Sequence, residues 1–438
     1  MLSQSAYLFM SKVIEYGIRI LLPMFLVRIL TKADFGLYYQ FFLFQILIQT
    51  LFQMGVNQSL YFFIPRDPRN SGAYFINSLM LNVILFGTAY IILGIFRTTI
   101  ADFLGMPVLE MFFWSLAGYS LLAMLNVSAQ VFLTARKLII QSAVFVVLRQ
   151  VLASTATLIA AYLTHDLRII VLALVLSRVV SLILVISYIH FIQHGFRAER
   201  YFFGIWGQIR YGLVLGAAGM LWTFLMRFPE MTVSKFYDIE TYAVYAAGCR
   251  QIPILQFFSQ SIAAVALVKF AQLEKENDWV NIRKLWDRIL GSMYGVGIPV
   301  TIFFILVAKP LVVLMFTEDF VEAVPIFQIN AIAMLYIILN PTLVLRAMDR
   351  NDISVKVNFG MMILLPPALY AGMKLFGLSG IIGASAVMLI GGRIINQAIL
   401  NRLTPVYLPY VASWKSVWAF YTEIFQKSRA KLLKLQGK

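Results

Sequence analysis

Apolar residues run along this chain in stretches of about twenty, each closed by a charged or Pro/Gly-bearing break. A stretch of that length crosses the roughly 30 Å hydrocarbon layer as a helix, and helices satisfy their own backbone in lipid without closing a barrel. The windows predict twelve spans, at 7–30, 36–64, 73–96, 108–134, 138–163, 168–192, 209–234, 241–268, 289–308, 323–346, 355–374 and 378–400. No ten-residue alternation of apolar and polar positions suggests strands. The expected fold class is all-α, a polytopic membrane protein with twelve transmembrane helices.

Composition agrees with this pattern. Of 438 residues 61% are hydrophobic and only 13% charged, about half the charged share of an ordinary soluble domain. The formal charge of +16 would suggest nucleic acid in a soluble chain, but here the bases must first be placed relative to the membrane. With the N-terminus inside, the cytoplasmic connections collect Arg66, Arg69, Arg136, Lys137, Arg197, Arg200, Arg210, Lys269, Lys275, Arg283, Lys284, Arg288, Arg346, Arg350 and Lys356, and the tail adds seven more from Arg402 to Lys438. The opposite side shows about one base per loop, at Lys32, Arg97, Arg168, Lys235, Lys309 and Lys374. The bias puts both termini in the cytoplasm and makes much of the charge topological, so nucleic acid is not an expected partner.

One cysteine, Cys249, and three histidines leave no disulfide framework and no zinc or haem site; no metal or cofactor is expected. The first apolar run lacks a basic n-region and a small-residue cleavage site, so it is read as a retained span. Short outer loops leave no room for a membrane-embedded polymerase or glycosyltransferase. A Gly-x-x-x-x-Gly-Lys-Ser/Thr loop is absent from the sequence, so ATP hydrolysis by this chain is not expected.

The long basic break 193–208 follows the sixth span and divides the chain into an N-terminal six-helix bundle at 1–192 and a C-terminal one at 209–400, with a basic amphipathic tail at 401–438. Local features recur about two hundred residues apart. Asp34-Phe35-Gly36-Leu37-Tyr38 follows span one and Thr241-Tyr242-Ala243-Val244-Tyr245 follows span seven, while Leu133-Thr134-Ala135-Arg136 follows span four and Leu345-Arg346-Ala347-Met348 span ten. Repeats separated by six helices keep one orientation, and such halves commonly face each other across a central cavity.

The opening Ser5-Ala6-Tyr7-Leu8 and Lys12, the run Leu26-Val27-Arg28-Ile29-Leu30-Thr31-Lys32-Ala33-Asp34-Phe35-Gly36-Leu37-Tyr38, the segment Gln53-Met54-Gly55-Val56-Asn57-Gln58-Ser59 and the step Ala135-Arg136-Lys137 resemble the O-antigen-type polysaccharide flippases of the multidrug/oligosaccharidyl-lipid/polysaccharide (MOP) exporter superfamily. These are packing and turn residues rather than a catalytic signature. Ala243 stands where the second-half motif usually has Gly. The resemblance implies two bundles forming a V around a cavity in the bacterial inner membrane. It also implies a non-enzymatic cargo step, moving a polyprenyl-diphosphate-linked oligosaccharide from inner to outer leaflet by alternating access. The bilayer, a proton or sodium gradient and polysaccharide polymerases are the further partners of that reading.

Polar groups inside spans ask for a partner or a wet cavity, because charge in hydrocarbon costs at least about 2.5–3.5 kcal/mol. Lys12, Glu15 and Arg19 share one face of span one, either as a cavity stripe for an anionic head group with Glu15 as its neutralising or proton-coupling acid, or as a snorkelling ion pair. Gln45, Gln49, Gln53 and Asn57 at i+4 spacing form an amide ribbon on span two, suited to sugar hydroxyls or to interhelical bonding. Arg149, Arg178 and Arg250 are candidate diphosphate ligands, since the guanidinium fork matches phosphate oxygens two at a time, with anchoring of neighbouring helices as the other reading of Arg149 and Arg178. Arg393 is a further intramembrane base, and Arg227 with Glu230 reads as a self-satisfied pair.

Gly212, Gly216, Gly219, Gly291 and Gly295 read as close-packing positions. Gly297-Ile298-Pro299 and Leu365-Pro366-Pro367 are expected to interrupt hydrogen bonding and bend their helices. The tail from Trp414 to Lys434 reads as an interfacial helix held to anionic lipid. A cation-coupled drug exporter of the same superfamily is the alternative function, and it needs cavity acids that are scarce here. An exporter of the peptidoglycan lipid precursor is a third reading, with two further spans for which the polar tail leaves no room.

Overall fold

The computed structural model describes residues 2–192, 202–250 and 253–436. Of the expected basic connection 193–208, residues 193–201 lie outside the described residues, and the helix Ile205–Phe236 already begins within the rest. Helices form all the regular structure among the described residues, and nine helical segments, some of them of more than one helix, are long and apolar enough to cross a membrane. The expected spans reappear close to their boundaries, several as broken helices.

In chain order, α1 covers Leu2–Leu26, α2 Lys32–Phe52, α3 Val56–Arg66, α4 Ser71–Ile95, α5 Arg97–Leu104, α6 Val108–Met111, α7 Phe113–Ala135, α8 Ile139–Thr164, α9 Leu167–Ile192 and α10 Ile205–Phe236. They are followed by α11 at Ile239–Gly248, α12 at Ile254–Lys275, α13 at Trp279–Leu306, α14 at Ala308–Phe316, α15 at Ala323–Ala333, α16 at Thr342–Ala347, α17 at Asn351–Leu403 and α18 at Trp414–Gln436.

The repeated motifs are helix starts. At α2 the Thr31 hydroxyl oxygen accepts the Asp34 backbone N–H at 3.1 Å, relieving one orphan donor of the first turn while Asp34 faces the positive end of the helix dipole. At α11 the Asp238 carboxylate accepts the Thr241 N–H at 2.7 Å. Phe35, Tyr242, Ala243, Val244 and Tyr245 are all buried. Gly36 lies against Ile239, where a Cβ would stand 2.4 Å from the carbonyl oxygen, so the first motif needs its glycine for contact.

Span two is two helices, not the continuous one expected. The chain turns at Met54 (φ 41°) and Gly55 (φ 64°), and Gly212 and Gly216 of α10 press on that turn. A Cβ on Gly55 would lie 2.3 Å from the Gly212 carbonyl oxygen, and one on Gly216 2.8 Å from Met54 Cα. Both α10 glycines therefore have the packing role expected of them, whereas Gly219 has open space. Span eight is split between α11 and α12, with Pro253 capping the second piece. Span ten divides into α15, a 3₁₀ turn at Met334–Ile337 and α16, which starts just after Pro341.

The prolines expected to bend their helices do not end them. Pro299 sits inside α13 and Pro366 and Pro367 inside α17, and both helices continue through them. The interruption in α17 is Gly377 (φ 60°, ψ −136°), which separates the legs read as spans eleven and twelve. Gly372 and Gly380 of the two legs meet there, a Cβ on either falling within 2.4 Å of the other's carbonyl oxygen.

The chain forms two compact units, one of Met1–Ala246 with Leu314–Asp319, the other of Ala247–Val313 with Phe320–Lys438. In the first, Leu60, Ile64, Phe75, Phe132, Leu133 and Ile189 pack α3, α4, α7 and α9 together. Ile91, Ile95, Leu163 and Leu172 remain outward and exposed, as lipid-facing positions must be. In the second, α13 is crossed by the tail helix α18. The Gly291 Cα faces Ser416, Gly295 faces Phe420, and Arg288 pairs with Glu423 at 2.6 Å. The partner of the Gly291/Gly295 stripe is thus the tail itself.

Candidate functional site

Three residues of α1 start the site. Spacings of three and four put Lys12, Glu15 and Arg19 on one face, and α8 packs along α1. The Lys12 ammonium donates to Glu15 Oε2 at 2.9 Å, and the Arg149 guanidinium of α8 lies 3.5 Å from Glu15 Oε1. Glu15 is therefore shared between two bases on two helices. Side-chain exposure falls from 48% at Lys12 to 13% at Arg149 and 9% at Glu15, so the cluster opens outward at Lys12 and is closed at its floor. Arg19 is exposed one turn further on.

Behind Arg149 stands a second arginine. Arg178 of α9 is close enough to act on Arg149 electrostatically. It donates from Nη2 to the Tyr119 hydroxyl of α7 at 2.8 Å, with its guanidinium carbon 5.1 Å from that ring's centre. Phe41 and Phe42 hold Tyr119 edge-on. The Arg178 Nε–H is buried with no hydrogen-bond partner among the described residues. Glu15 thus answers Lys12 and Arg149, Arg19 acts on it electrostatically, and Arg178 adds a further positive charge beside Arg149. A phosphate or diphosphate offers the complementary charge and the oxygen geometry that arginine forks match. Buried unbalanced charge is costly to a fold unless something answers it.

The amide ribbon divides. Gln45 is buried, Gln49 and Gln53 half-buried, and Gln53 donates to Gln58 at 3.3 Å. Asn57 lies beyond the Met54–Gly55 turn, so the i+4 register does not reach it. Its side chain belongs to interhelical bonding: Asn57 Oδ1 accepts Ser78 Oγ at 3.0 Å, Asn82 Nδ2 at 3.0 Å and Ser128 Oγ at 2.6 Å. Of the two readings of the ribbon, the three protein donors on this oxygen favour interhelical bonding at Asn57.

Arg250 is in the other unit, at the α11–α12 break. It borders a cavity of about 20 Å³ with Leu255, Thr301, Phe304, Phe327, Asn330 and Met334, room for roughly one water. The Thr301 hydroxyl there has no partner among the described residues. Arg227 and Glu230 bond at 2.6 Å, and Arg393 donates to Thr342 Oγ1 at 3.1 Å beneath the Tyr336 ring.

Several polar residues escaped the sequence reading. Tyr119 positions Arg178, and Ser78, Asn82 and Ser128 complete the Asn57 network. Asn77 and Gln208 bond at 3.1 Å, and Gln208 also donates to Ser59 and the Tyr74 carbonyl, pinning α10 to α3 and α4. Gln40 donates to Ser234 Oγ at 2.8 Å. The rule that flagged the glutamines, a polar amide in an apolar window, applies equally to Asn77, Asn82 and Gln40.

Comparison with known proteins places this geometry. The family described as polysaccharide biosynthesis protein matches residues 25–325. That range takes in Arg149, Arg178 and Arg250 and begins just after the α1 charges. No curated protein matches the chain. Among solved structures, the lipid II flippase MurJ in an inward closed conformation aligns with a TM-score of 0.68 at 13% identity, over 92% of this chain and 88% of that one. An inward-facing multidrug resistance MATE family transporter of the MOP superfamily aligns at 0.66 and 14%, over 89% and 95%. A Pyrococcus furiosus MOP superfamily transporter, described as having a binding pocket of reverse polarity that suggests a different function, aligns at 0.63 and 15%, over 92% and 95%. Identities this low establish the fold, which is the all-α twelve-helix fold of these membrane proteins.

Proposed function

The chain belongs to the polysaccharide biosynthesis protein family, and on that premise we propose that it is a flippase. Its cargo is a polyprenyl-diphosphate-linked oligosaccharide, carried from the inner to the outer leaflet of a bacterial cytoplasmic membrane by alternating access, for surface polysaccharide synthesis. Both termini are cytoplasmic in this proposal and the chain performs no covalent chemistry. The observation that carries the reading is the surplus of cations around Glu15. Lys12 and Arg19, at the exposed end, meet the head group first, and Arg149 and Arg178 grip its phosphates deeper in. Gln45, Gln49 and Gln53 are left to the sugars.

The test is reconstitution of the purified chain in vesicles with a fluorescent polyprenyl-diphosphate saccharide in one leaflet, read by accessibility to a membrane-impermeant quencher. Wild type transfers the lipid and Arg178→Gln does not, at equal insertion and equal thermal stability. Equal transfer by both removes the cluster from the cargo path. Drug efflux by the chain, abolished by Glu15→Gln, would instead favour the cation-coupled exporter.

A further inference from the structure

The tail helix α18 presents two faces that differ in kind. Ser416, Phe420 and Glu423 turn toward α13, and the Tyr421 hydroxyl donates to the Gly295 carbonyl at 2.5 Å. Trp414, Trp418 and Phe425, spaced by four and seven residues, run along the helix and are 77%, 59% and 71% exposed. Trp414 and Trp418 stack with centroids 6.5 Å apart. The helix sequence carries five bases, Lys415, Lys427, Arg429, Lys431 and Lys434, against the single acid Glu423, and that acid is already taken by Arg288.

We propose that this stripe is a docking surface for the anionic lipid leaflet on the side of the C-terminus. Three observations select a lipid surface over a protein partner. The crossing point on α13, Gly291 to Gly295, lies at the edge of its apolar run, one turn before the exposed Ile298, Ile302 and Phe303 that face hydrocarbon. Tryptophan and tyrosine are the side chains that settle at the head-group level. The excess of bases complements anionic lipid, whose attraction adds to the buried apolar area. Contact with α13 fixes the rotation of α18, so the stripe is presented without further ordering of the helix. This inference is independent of the cargo.

The experiment uses the full chain in vesicles. Cys249 is the sole cysteine, so Cys249→Ser with Trp418→Cys accepts one polarity-sensitive fluorophore on the stripe. In phosphatidylcholine containing phosphatidylglycerol, the emission is expected to move to the blue and neutral acrylamide quenching to fall about twofold relative to phosphatidylcholine alone, with salt reversing both. Changing Lys427, Arg429, Lys431 and Lys434 to Gln in the same background should abolish the lipid dependence while leaving flipping by the Arg149 and Arg178 cluster intact. Emission that is identical in the two lipids, whether wet or already shielded, overturns the proposal. So does a lipid dependence that survives the fourfold Gln variant.

Discussion

Two polar sites are buried in the same unit, and they differ in whether their bonds close. Asn57, Ser78, Asn82 and Ser128 form a neutral knot that joins spans two, three and four. One carbonyl oxygen there takes three donors, and the leftover is a single acceptor, Asn82 Oδ1. Around Glu15 the inventory fails to close: Lys12 and Arg149 share one carboxylate, and Arg178 beside Arg149 keeps a buried donor with no partner among the described residues. Amides that satisfy each other hold helices together at a gain of about 1–2 kcal/mol or less per contact. Unmatched charge offers no such gain, and its presence in an otherwise apolar bundle points to a ligand that supplies the missing sign. Balance, more than burial or polarity, separates scaffold from site.

The sharpest way to break this contrast is to neutralise the two buried arginines of the charged cluster in turn. Arg149→Gln strips Glu15 of its α8 partner, and Arg178→Gln removes a fork that has no carboxylate partner among the described residues. Each should lower flipping by about tenfold to a hundredfold, the value of one or two charge-assisted hydrogen bonds of about 1.5–3 kcal/mol. Because Arg149→Gln also disturbs a buried pair, its melting temperature in detergent should fall, while that of Arg178→Gln should hold. Loss of stability in both with unchanged transport per folded molecule would make the cluster a scaffold like the other.

Glu15→Gln sharpens the comparison from the opposite side. Removing the one acid raises the positive surplus, so affinity for a soluble polyprenyl-diphosphate analogue, measured by calorimetry, should be kept or increased several-fold, by Coulomb attraction of roughly 1 kcal/mol at a partly wet site. A drug exporter needs the acid for its cation, and would lose binding of a cationic drug in the same variant.

Changes in the neutral knot should act on stability alone. Asn57→Ala removes the acceptor shared by Ser78, Asn82 and Ser128, each of which keeps a second acceptor, at about 1 kcal/mol. The turn beside it is more restrictive. Gly55→Ala imposes a Cβ at φ 64° and within 2.3 Å of a backbone oxygen, costing at least about 1 kcal/mol. Both should lower the thermal midpoint in detergent and leave flipping per folded molecule at the wild-type rate. A Gly212 variant should mimic Gly55→Ala, since either side chain fills the same gap.

The spans were legible because an apolar run of a given length has one stable form in lipid. The charges of the site were legible because their cost in hydrocarbon makes them rare. Which of those charges meet was not: Lys12 and Glu15 are close in sequence, but Arg149 and Arg178 join them only through the packing of α1, α8 and α9. The helix breaks were misplaced for a related reason. Proline satisfies the helical φ and gives up one donor, so Pro299 and Pro366 are absorbed, whereas Gly55 and Gly377 break their helices with positive φ, which a window of hydropathy does not register. Asn57 shows the limit of periodicity, since four polar residues at perfect i+4 spacing lie on either side of a turn.

The repeated helix starts provide the smallest and cleanest test of the internal symmetry. Thr31 caps α2 with a neutral hydroxyl and Asp238 does the same for α11 with a carboxylate, so only the second is sensitive to acid. The backbone N–H of Thr241 holds the Asp238 carboxyl below the usual carboxylate range. A depressed folded value means that its stabilisation is present above the unfolded pKa and is lost as pH falls through the folded one. Asp238→Ala should cost about 1 kcal/mol at neutral pH and flatten the acid side of the stability curve. Asp238→Asn should restore most of the neutral-pH loss while staying flat in acid, because the amide oxygen still accepts the Thr241 bond without a proton to gain. Thr31→Ala should show a similar loss with no change of slope, measured as thermal midpoint against pH. Equal slopes in all three variants would mean that the two caps share a position in the repeat without sharing a job.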